Sequence, residues 1–408
     1  MIKIITEKFK EYAFHAFLFL APIFFIANEL DSRIIQQKFF HVGAMALCGI
    51  FFGNIWITLF LWLNIILFLF HGADVGSAQV FNVFLTGLLF ACSRNFFKER
   101  PFSKYVLPLY IVTVISIIFM ILQIIGIDPL HAPVNLFGEV DDSRSLHLVC
   151  GLFKLPAFHA IFLTLISSLM IFISGWVGFL LIIPVIMSKC AGAGIAYGFL
   201  IPFYIYHKFK KLFLPSIFIG IIASAGYLIY DRNNDALTFN SRFEAWSLVL
   251  KQSCGNLLGY GPDSFRQYNK NKDFVFSSDE EYNPILRTKK TLFYYSANLG
   301  EREKRFKNKI PKLIVNWTEA HNEYLQFLFE YGVFGIILLF GFCREIYDRY
   351  VLSEKSNEVL ALFSFFCVLA ISSTTQFPFH LARLTAIFGV ILGAYFSKTD
   401  RGYELKES

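Results

Sequence analysis

A histidine stands where a long polar segment of the sequence meets an apolar one, and it is a candidate for acid–base chemistry. His321 is followed by a long apolar stretch. An imidazole titrates near neutral pH, so His321 could act as a general base that takes a proton from a hydroxyl group. Glu319 or Glu323 could orient the ring. The alternative is a structural histidine packed at an interface with Trp317 and Tyr324.

Two cations could hold a phosphate group. Arg242 falls in the first turn of a predicted helix, where a positive charge opposes the helix dipole. The same helix end presents amide donors, and the guanidinium fork grips phosphate oxygens in pairs. Lys189 lies between two apolar segments and could face an anionic headgroup. The alternatives are a solvated helix face for Arg242 and a lysine that reaches the membrane interface for Lys189.

Other chemical motifs are few. His380 and Arg383 share a predicted helix face, with a structural role as the alternative. The sequence has neither a P-loop nor a Gly-x-Ser-x-Gly motif, and no His, Cys and carboxylate set has metal-ligand spacing. The acidic pair at 141–142 fits a solvated turn. We therefore expect neither a metal nor another cofactor.

The composition indicates a membrane protein. The chain is 56% hydrophobic with a mean hydropathy of +0.54, only 16% of its residues are charged, and 50 of its 408 residues are Phe. Apolar runs of about 20 residues recur, which is the length that crosses a bilayer. The net charge of +7 does not indicate nucleic-acid binding, because the basic residues fall mostly in short loops between these runs.

The fold class expected is an all-α polytopic membrane protein with about twelve transmembrane helices. A large outer loop separates spans nine and ten. The chain divides into N-terminal helices (1–125), central helices with an outer loop at 126–156 (126–230), the large loop (231–320), and C-terminal helices with a tail (321–408). The predicted spans are 12–28, 39–53, 55–71, 78–93, 105–125, 157–172, 173–188, 190–206, 212–230, 321–343, 357–373 and 379–396.

The distribution of Lys and Arg predicts the orientation. Basic residues gather in the loops at 94–104, 207–211 and 344–355, and these loops fall on the side of the N-terminus. Both termini are therefore expected in the cytoplasm, and the first span is expected to be uncleaved. The segments 126–156 and 231–320 then lie outside, where a disulfide between Cys150 and Cys254 is one possibility.

The large loop is expected to contain ordered elements. A helix is predicted from residue 240, with Ser241 and Glu244 as a capping box. Gly255 could end this helix in a left-handed conformation. A turn-rich element follows at 258–265, and the basic stretch 302–309 is typical of a solvated helix.

Several patches together resemble the O-antigen ligase and O-antigen polymerase family of bacterial membrane glycosyltransferases. The likeness covers roughly residues 145–396, and the first five spans match only in topology. Lys189 stands where the family usually has Arg, and the first patch lacks an Asn pair common there. The patches are Gly-Leu-Phe-Lys-Leu-Pro-Ala (151–157), Ser-Lys-Cys-Ala-Gly (188–192), Ser-Arg-Phe-Glu-Ala-Trp (241–246) with Gly-Tyr-Gly (259–261), His-Asn-Glu-Tyr-Leu (321–325) with Glu-Tyr-Gly-Val-Phe-Gly (330–335), and Gln-Phe-Pro-Phe (376–379).

The resemblance implies a type C glycosyltransferase-like fold and a metal-independent, inverting enzyme of the bacterial inner membrane. Such an enzyme would move a glycan from undecaprenyl diphosphate to lipid A-core on the periplasmic face. His321, Arg242 and Lys189 would be catalytic. The substrate-binding residues would be Trp246, Tyr260, Asn322, Tyr324, Trp317 and Arg383.

Alternatives remain open at this point. A polymerase or a protein O-oligosaccharyltransferase of the same family would use the same donor and chemistry with another acceptor. A lipid-linked glycan transporter is the alternative from another class, but transporters usually show repeats and broken helices with polar residues at mid-membrane. The polar candidates of this chain gather on one face, which favours an enzyme.

Overall fold

The structure is a computed structural model that describes ten α-helices and three β-strands. It describes residues 49–71, 77–125, 151–152, 156–188, 190–234, 246–247, 249–265, 273–283, 288–294, 312–316, 320, 322–375 and 382–407. The helices are α1 (Ile55–His71), α2 (Ser77–Phe97), α3 (Leu107–Ile124), α4 (Pro156–Ile173), α5 (Ile182–Met187), α6 (Ala191–Lys208), α7 (Phe213–Asn234), α8 (Glu323–Leu352), α9 (Asn357–Ser372) and α10 (Ala382–Glu407).

The described helices fit a helical membrane protein. By length and composition, three stretches could cross a membrane: Gln79–Phe97, Leu107–Ile124 and Glu323–Leu352. Large apolar side chains also face outward on α3 and α7, among them Ile111, Val114 and Phe218. Such surface suits a lipid environment, since an exposed apolar face is unfavourable in water. The predicted membrane class is supported, whereas the number of twelve spans stays a prediction.

Most predicted apolar segments coincide with helices, but the segment 173–188 does not form one α-helix. It contains a 3₁₀ segment, Gly175–Leu181, followed by the short α5. Gly175 adopts φ +80°, which ends α4, and the chain then folds back so that Ser167 Oγ donates to Gly178 O at 2.8 Å. Predicted spans 12–28 and most of 39–53 lie outside the described residues.

Glycines let neighbouring helices approach closely at the centre of the bundle. A Cβ added to Gly389 of α10 would lie 2.8 Å from the Thr86 carbonyl oxygen of α2. One added to Gly393 would lie 2.7 Å from the Arg94 amide nitrogen. Small residues favour such tight crossings because lipid gives little apolar driving force between helices. α8 packs against α10 of this pair and against α1.

A charged network, here called the ion cluster, joins four elements at the C-terminal end of α8. Arg349 Nη1 donates to Asp400 Oδ1 at 2.8 Å, and its Nε donates to Glu345 Oε1 at 3.0 Å. Arg94 Nε donates to Asp400 Oδ2 at 3.0 Å, and Asn54 Nδ2 donates to Glu345 Oε2 at 3.0 Å. The Arg349 side chain is only 7% exposed. The cluster thereby ties α2, α8 and α10 to the residue before α1.

A small antiparallel sheet lies in the polar segment 231–320, for which no strand was predicted. Its strands are β1 (Asp273–Asn283), β2 (Thr288–Tyr294) and β3 (Lys312–Asn316), in the order β2-β1-β3. The register places Glu281 opposite Lys290, and Val275 opposite Ile314. β-branched and aromatic residues in these stretches favour an extended chain.

The start of the polar segment is helical, as predicted, but its glycine cap differs. Helical residues occupy 246–247 and 249–255, and the proposed capping box lies outside the described residues. Gly255 is the last helical residue without a left-handed φ, whereas Gly259 and Gly261 have φ of +87° and +97°. Cys254 is a free thiol, and Cys150 lies outside the described residues. The predicted helix at 302–309 also lies outside the described residues.

Candidate functional site

The N-terminus of α8 is built by the residue that follows His321. Asn322 has extended backbone angles, and its Oδ1 accepts a hydrogen bond from the Leu325 amide at 3.1 Å. This is an N-cap, in which a side chain meets an amide that the helix leaves unpaired. Glu323 adds an acidic residue to the first turn, where the helix dipole favours it. The predicted substrate contact of Asn322 stays a prediction, and the structure gives the residue a capping role.

The residue before His321 is held on both sides of its backbone. The Trp246 indole Nε1 donates to the Ala320 carbonyl oxygen at 3.0 Å. The Ala320 amide donates to Gln326 Oε1 at 3.1 Å, and Gln326 Nε2 donates to Glu330 Oε1 at 3.1 Å. Ala320, Gln326 and Glu330 are fully buried. The chain immediately before His321 is therefore fixed by Trp246 of the polar segment and by Gln326 and Glu330 of α8.

A break in α8 provides a backbone dock for the polar segment. Gly332 has φ +60° and ψ −158°, a conformation essentially confined to glycine. Because the helix breaks there, the Val333 amide donates to the Leu257 carbonyl at 2.9 Å instead of bonding within α8. The Phe329 carbonyl accepts instead from the Tyr260 amide at 3.0 Å, and the next carbonyl of α8 accepts from Gly261 at 2.9 Å. We call this exchange of hydrogen bonds the glycine dock.

The glycine dock requires a second glycine on the facing segment. A Cβ added to Gly259 would lie 2.5 Å from the Glu330 carbonyl oxygen, and one added to Gly332 would meet the Leu257 carbonyl oxygen. Both glycines also have positive φ. The turn-rich stretch at 258–265 thus forms the glycine dock together with α8. Its sequence alone does not show this role.

Aromatic rings seal the glycine dock. The Tyr260 ring stacks on Phe329 with centroids 4.5 Å apart and planes at 20°. The Phe265 ring packs edge-on against the Phe329 ring, with centroids 5.3 Å apart. The Tyr260 hydroxyl donates to the Gln252 carbonyl at 3.2 Å. Phe329 therefore covers one face of Tyr260, and any sugar ring would have to use the other.

The start of α8 is also tied to the end of α9. The Glu323 amide donates to the Ser373 carbonyl at 2.9 Å, and the Tyr324 hydroxyl donates to the Ala370 carbonyl at 2.7 Å. The N-terminal turn of α6 reaches the same place, since a Cβ on Gly192 would lie 3.5 Å from the Ser372 carbonyl oxygen. The residues that follow Lys189 and those that flank His321 consequently meet at the end of α9.

An apolar cavity opens beside this meeting point. It has a volume of about 130 Å³ and lies between α1, α2, α8 and α10. Glu323 and Tyr324 line it together with the polar side chains of Gln79 and Thr385. The remainder of the wall is mostly apolar: Trp56, Phe60, Phe327, Leu338, Phe342 and Phe388. The cavity therefore presents Glu323 and Tyr324 at the α8 N-terminus, and its wall is mostly apolar with Asn82 and Thr86 of α2 as further polar groups.

Several of the predicted site residues lie outside the part of the chain that the structure describes. His321, Arg242, Lys189 and Trp317 are not among the described residues, and Arg383 falls in α10 without a described side chain. The structure describes Trp246, Tyr260, Asn322 and Tyr324, and all four are half-buried near the α8 N-terminus.

Sequence analysis missed two buried polar residues of α8 as parts of this site, Gln326 and Glu330, and considered Glu323 only as a group that orients His321. Glu323, Gln326 and Glu330 are at most 3% exposed. The signal was present: polar residues spaced by three or four along an otherwise apolar helix share one face, and in a membrane such residues usually turn inward. Within the part of the chain that is described, no group of three or more His, Cys, Asp or Glu could hold a metal ion.

Comparison with protein-family models gives no match for this sequence, and the search of curated proteins finds no significant similarity.

Proposed function

We propose that this protein is a membrane glycosyltransferase that moves a glycan from undecaprenyl diphosphate to lipid A-core. The observation that carries the proposal is a convergence. Segments adjoining His321 and Lys189, together with Trp246, meet at the head of an apolar cavity. A catalytic base and a cation would thus stand where a lipid-linked diphosphate presents its sugar.

The cavity suits the lipid part of such a donor. Its wall is mostly hydrocarbon and aromatic, with Glu323 and Gln79 beside the α8 N-terminus and a few further polar side chains, Asn82, Thr86 and Thr385. A polyprenyl chain would lie along the apolar wall, with the diphosphate beside the α8 N-terminus. Arg242 and Lys189 would be the cations that favour an anionic group there.

In the proposed reaction, His321 takes the proton of an acceptor hydroxyl. The hydroxyl oxygen attacks the anomeric carbon with inversion, and the bond from that carbon to the diphosphate oxygen breaks. Arg242 and Lys189 neutralise the undecaprenyl diphosphate as it leaves. Trp246, Tyr260, Tyr324, Trp317 and Arg383 would bind the sugars and the acceptor. We further propose that no metal is needed, and that the site faces the periplasm with both termini in the cytoplasm.

The test is transfer from an undecaprenyl-diphosphate donor to purified lipid A-core in the presence of EDTA. General acid–base catalysis typically contributes about 100-fold or more to a rate. His321→Ala should therefore lose transfer by at least that factor, and Arg242→Ala by about 100-fold because it removes charge stabilisation of the leaving diphosphate, while the protein remains in the membrane. Arg344→Ala is the matched control, because this arginine is 82% exposed near the other end of α8. Full activity in both site variants would exclude the mechanism.

The acceptor is decided by parallel assays. Chain growth with only carrier-linked repeats supplied would indicate a polymerase, and transfer to a protein hydroxyl would indicate an oligosaccharyltransferase. Movement of the carrier lipid across vesicles without any transfer would favour the transporter instead.

A further inference from the structure

A second, larger groove lies on the other flank of the bundle, between α7 and the pair α8 and α9. Its volume is about 790 Å³, within the range of about 300–1,000 Å³ that ligand sites occupy. α6 and α7 cross tightly at Gly198 and Gly220. Beyond that crossing the groove is lined by Phe203, Ile221 and Phe363. Its wall is almost entirely apolar, unlike the head of the first cavity.

One end of this groove is polar and aromatic. The His207 Nε2 and the Tyr350 hydroxyl oxygen lie 2.9 Å apart, and both residues line the groove with Tyr206 and Tyr347. The Tyr350 ring stacks on Phe363 with centroids 3.8 Å apart. Tyrosines with an apolar body and a polar tip are typical of the level where lipid headgroups begin.

Four lysines lie near this end of the groove in sequence or across from it, outside the residues that line it. Lys208, Lys210 and Lys211 follow His207 along the chain, and Lys355 lies across from them between α8 and α9. Lys208 Nζ donates to Asn357 Oδ1 at 3.0 Å, and Lys355 Nζ donates to main-chain carbonyls at the end of α8. Among the residues that the structure describes, none of these lysines forms an ion pair with a carboxylate. Their positive charge is therefore not neutralised by direct pairing with a described carboxylate.

The charges of these lysines affect the imidazole of His207. The pKa of His207 is lowered, first because burial disfavours the charged ring and then because Lys355 and the adjacent lysines repel a further positive charge. His207 thus remains mostly neutral near neutral pH and leaves the lysines as the cations of this end.

We propose that this groove binds an anionic phospholipid, with its acyl chains along α6 and α7 and its phosphate at Lys210 and Lys211. The groove runs from Ile195 to His207, roughly 18 Å at 1.5 Å per residue, which is close to half of a hydrocarbon core about 30 Å thick. Basic pockets between transmembrane helices recognise anionic headgroups in this way. The proposal is independent of the glycosyltransferase assignment.

The test measures lipid retention by the purified full-length protein in detergent, using phosphatidylglycerol or phosphatidylcholine added in turn. Native mass spectrometry counts the bound lipids, and the thermal unfolding midpoint reports their effect. A lysine near an anionic surface contributes roughly fivefold in affinity, so two together contribute about 25-fold. Lys210→Glu with Lys211→Glu should lose phosphatidylglycerol by at least that factor, and the wild type should retain it over phosphatidylcholine.

Two matched pairs of variants separate a site from general lipid coating. Lys98→Glu with Lys104→Glu removes the same charge from the loop between α2 and α3 and should keep the bound lipid. Ile221→Trp would fill the groove and should reduce retention, whereas Ile222→Trp changes an exposed neighbour that does not line it.

Three results would overturn the proposal. One is equal retention of the two lipids by the wild type. Another is equal loss of phosphatidylglycerol in both double variants. The third is an equal thermal shift with inorganic phosphate alone, which would indicate a phosphate site without a lipid.

Discussion

The two ends of α8 are anchored by different physical means. At its N-terminal part, the glycine dock joins α8 to the polar segment through main-chain hydrogen bonds, and its glycines are required by shape. At the C-terminal end, the ion cluster joins α8 to α2 and α10 through side-chain charges around Arg349. One anchor depends on the absence of side chains and the other on their charge.

This difference predicts which end of α8 can be weakened stepwise by single substitutions. A main-chain dock offers no side chain to exchange, so a substitution at Gly332 or Gly259 alters the backbone itself. The ion cluster can lose one partner at a time, and a buried charge that loses its last partner of opposite sign is left unpaired in a low dielectric. We expect the end near the candidate site to be geometrically rigid and the opposite end to be electrostatically sensitive.

The largest effect is expected at the ion cluster. Arg349→Ala would leave Glu345 without its cation and Asp400 with Arg94 alone, and it would remove the guanidinium from the Phe396 ring 4.0 Å away. Removing one partner of a buried pair typically costs about 3–5 kcal/mol. A marked fall of the thermal unfolding midpoint in detergent is the expected result. Arg344→Ala, an exposed arginine on the same helix, should change the midpoint little. Equal falls of the midpoint in Arg349→Ala and Arg344→Ala would mean that burial of the ion cluster does not contribute to stability.

A slightly smaller effect is expected at the glycine dock. Gly332→Ala forces a non-glycine residue into a positive φ and brings its Cβ against Leu257. We expect a loss of about 3 kcal/mol and a fall of both thermal midpoint and transfer activity. In Gly226→Ala the added Cβ meets open space in α7, and the variant should keep the wild-type midpoint or raise it. An unchanged Gly332→Ala protein would show that the dock does not hold the two segments together.

The smallest effect on stability is expected at Trp246, where the effect on activity should be selective. Trp246→Phe keeps a ring but removes the donor to the buried Ala320 carbonyl, at a cost of about 1 kcal/mol. If that bond positions the segment that carries His321, the transfer rate should fall roughly fivefold with little change of the thermal midpoint. Trp176→Phe, at an exposed tryptophan, serves as the control. A rate that stays at the wild-type value would remove Trp246 from the positioning of this segment.

Much of the helical framework could be predicted because apolar runs report helices directly. The predicted segment 55–71 coincides with α1, and 357–373 nearly coincides with α9. Segment 321–343 was predicted too short, since α8 continues to Leu352. The charges after residue 343 indicated a loop, yet Arg349 pairs with Glu345 one turn earlier and stays helical. A charge pattern alone does not reveal whether its partners lie in solvent or on the same helix.

The parts of the site that could not be predicted depend on contacts distant in sequence. The break at Gly332 forms because residues near Tyr260 supply the missing hydrogen bonds. The residues next to Gly332 in the sequence do not reveal that pairing. Asn322 was singled out for a ligand, whereas its oxygen caps α8, because capping and ligand binding call for the same polar side chain.

The exchange of hydrogen bonds at Gly332 also bears on how the protein is assembled during synthesis. α8 cannot satisfy the carbonyls of Phe329 and Glu330 by itself, and an unmet carbonyl is costly in a lipid environment. Their donors belong to a stretch that precedes α8 in the chain and that the ribosome therefore delivers earlier. Completion of this helix thus depends on the polar segment synthesised before it, which links the folding of α8 to the formation of the candidate site.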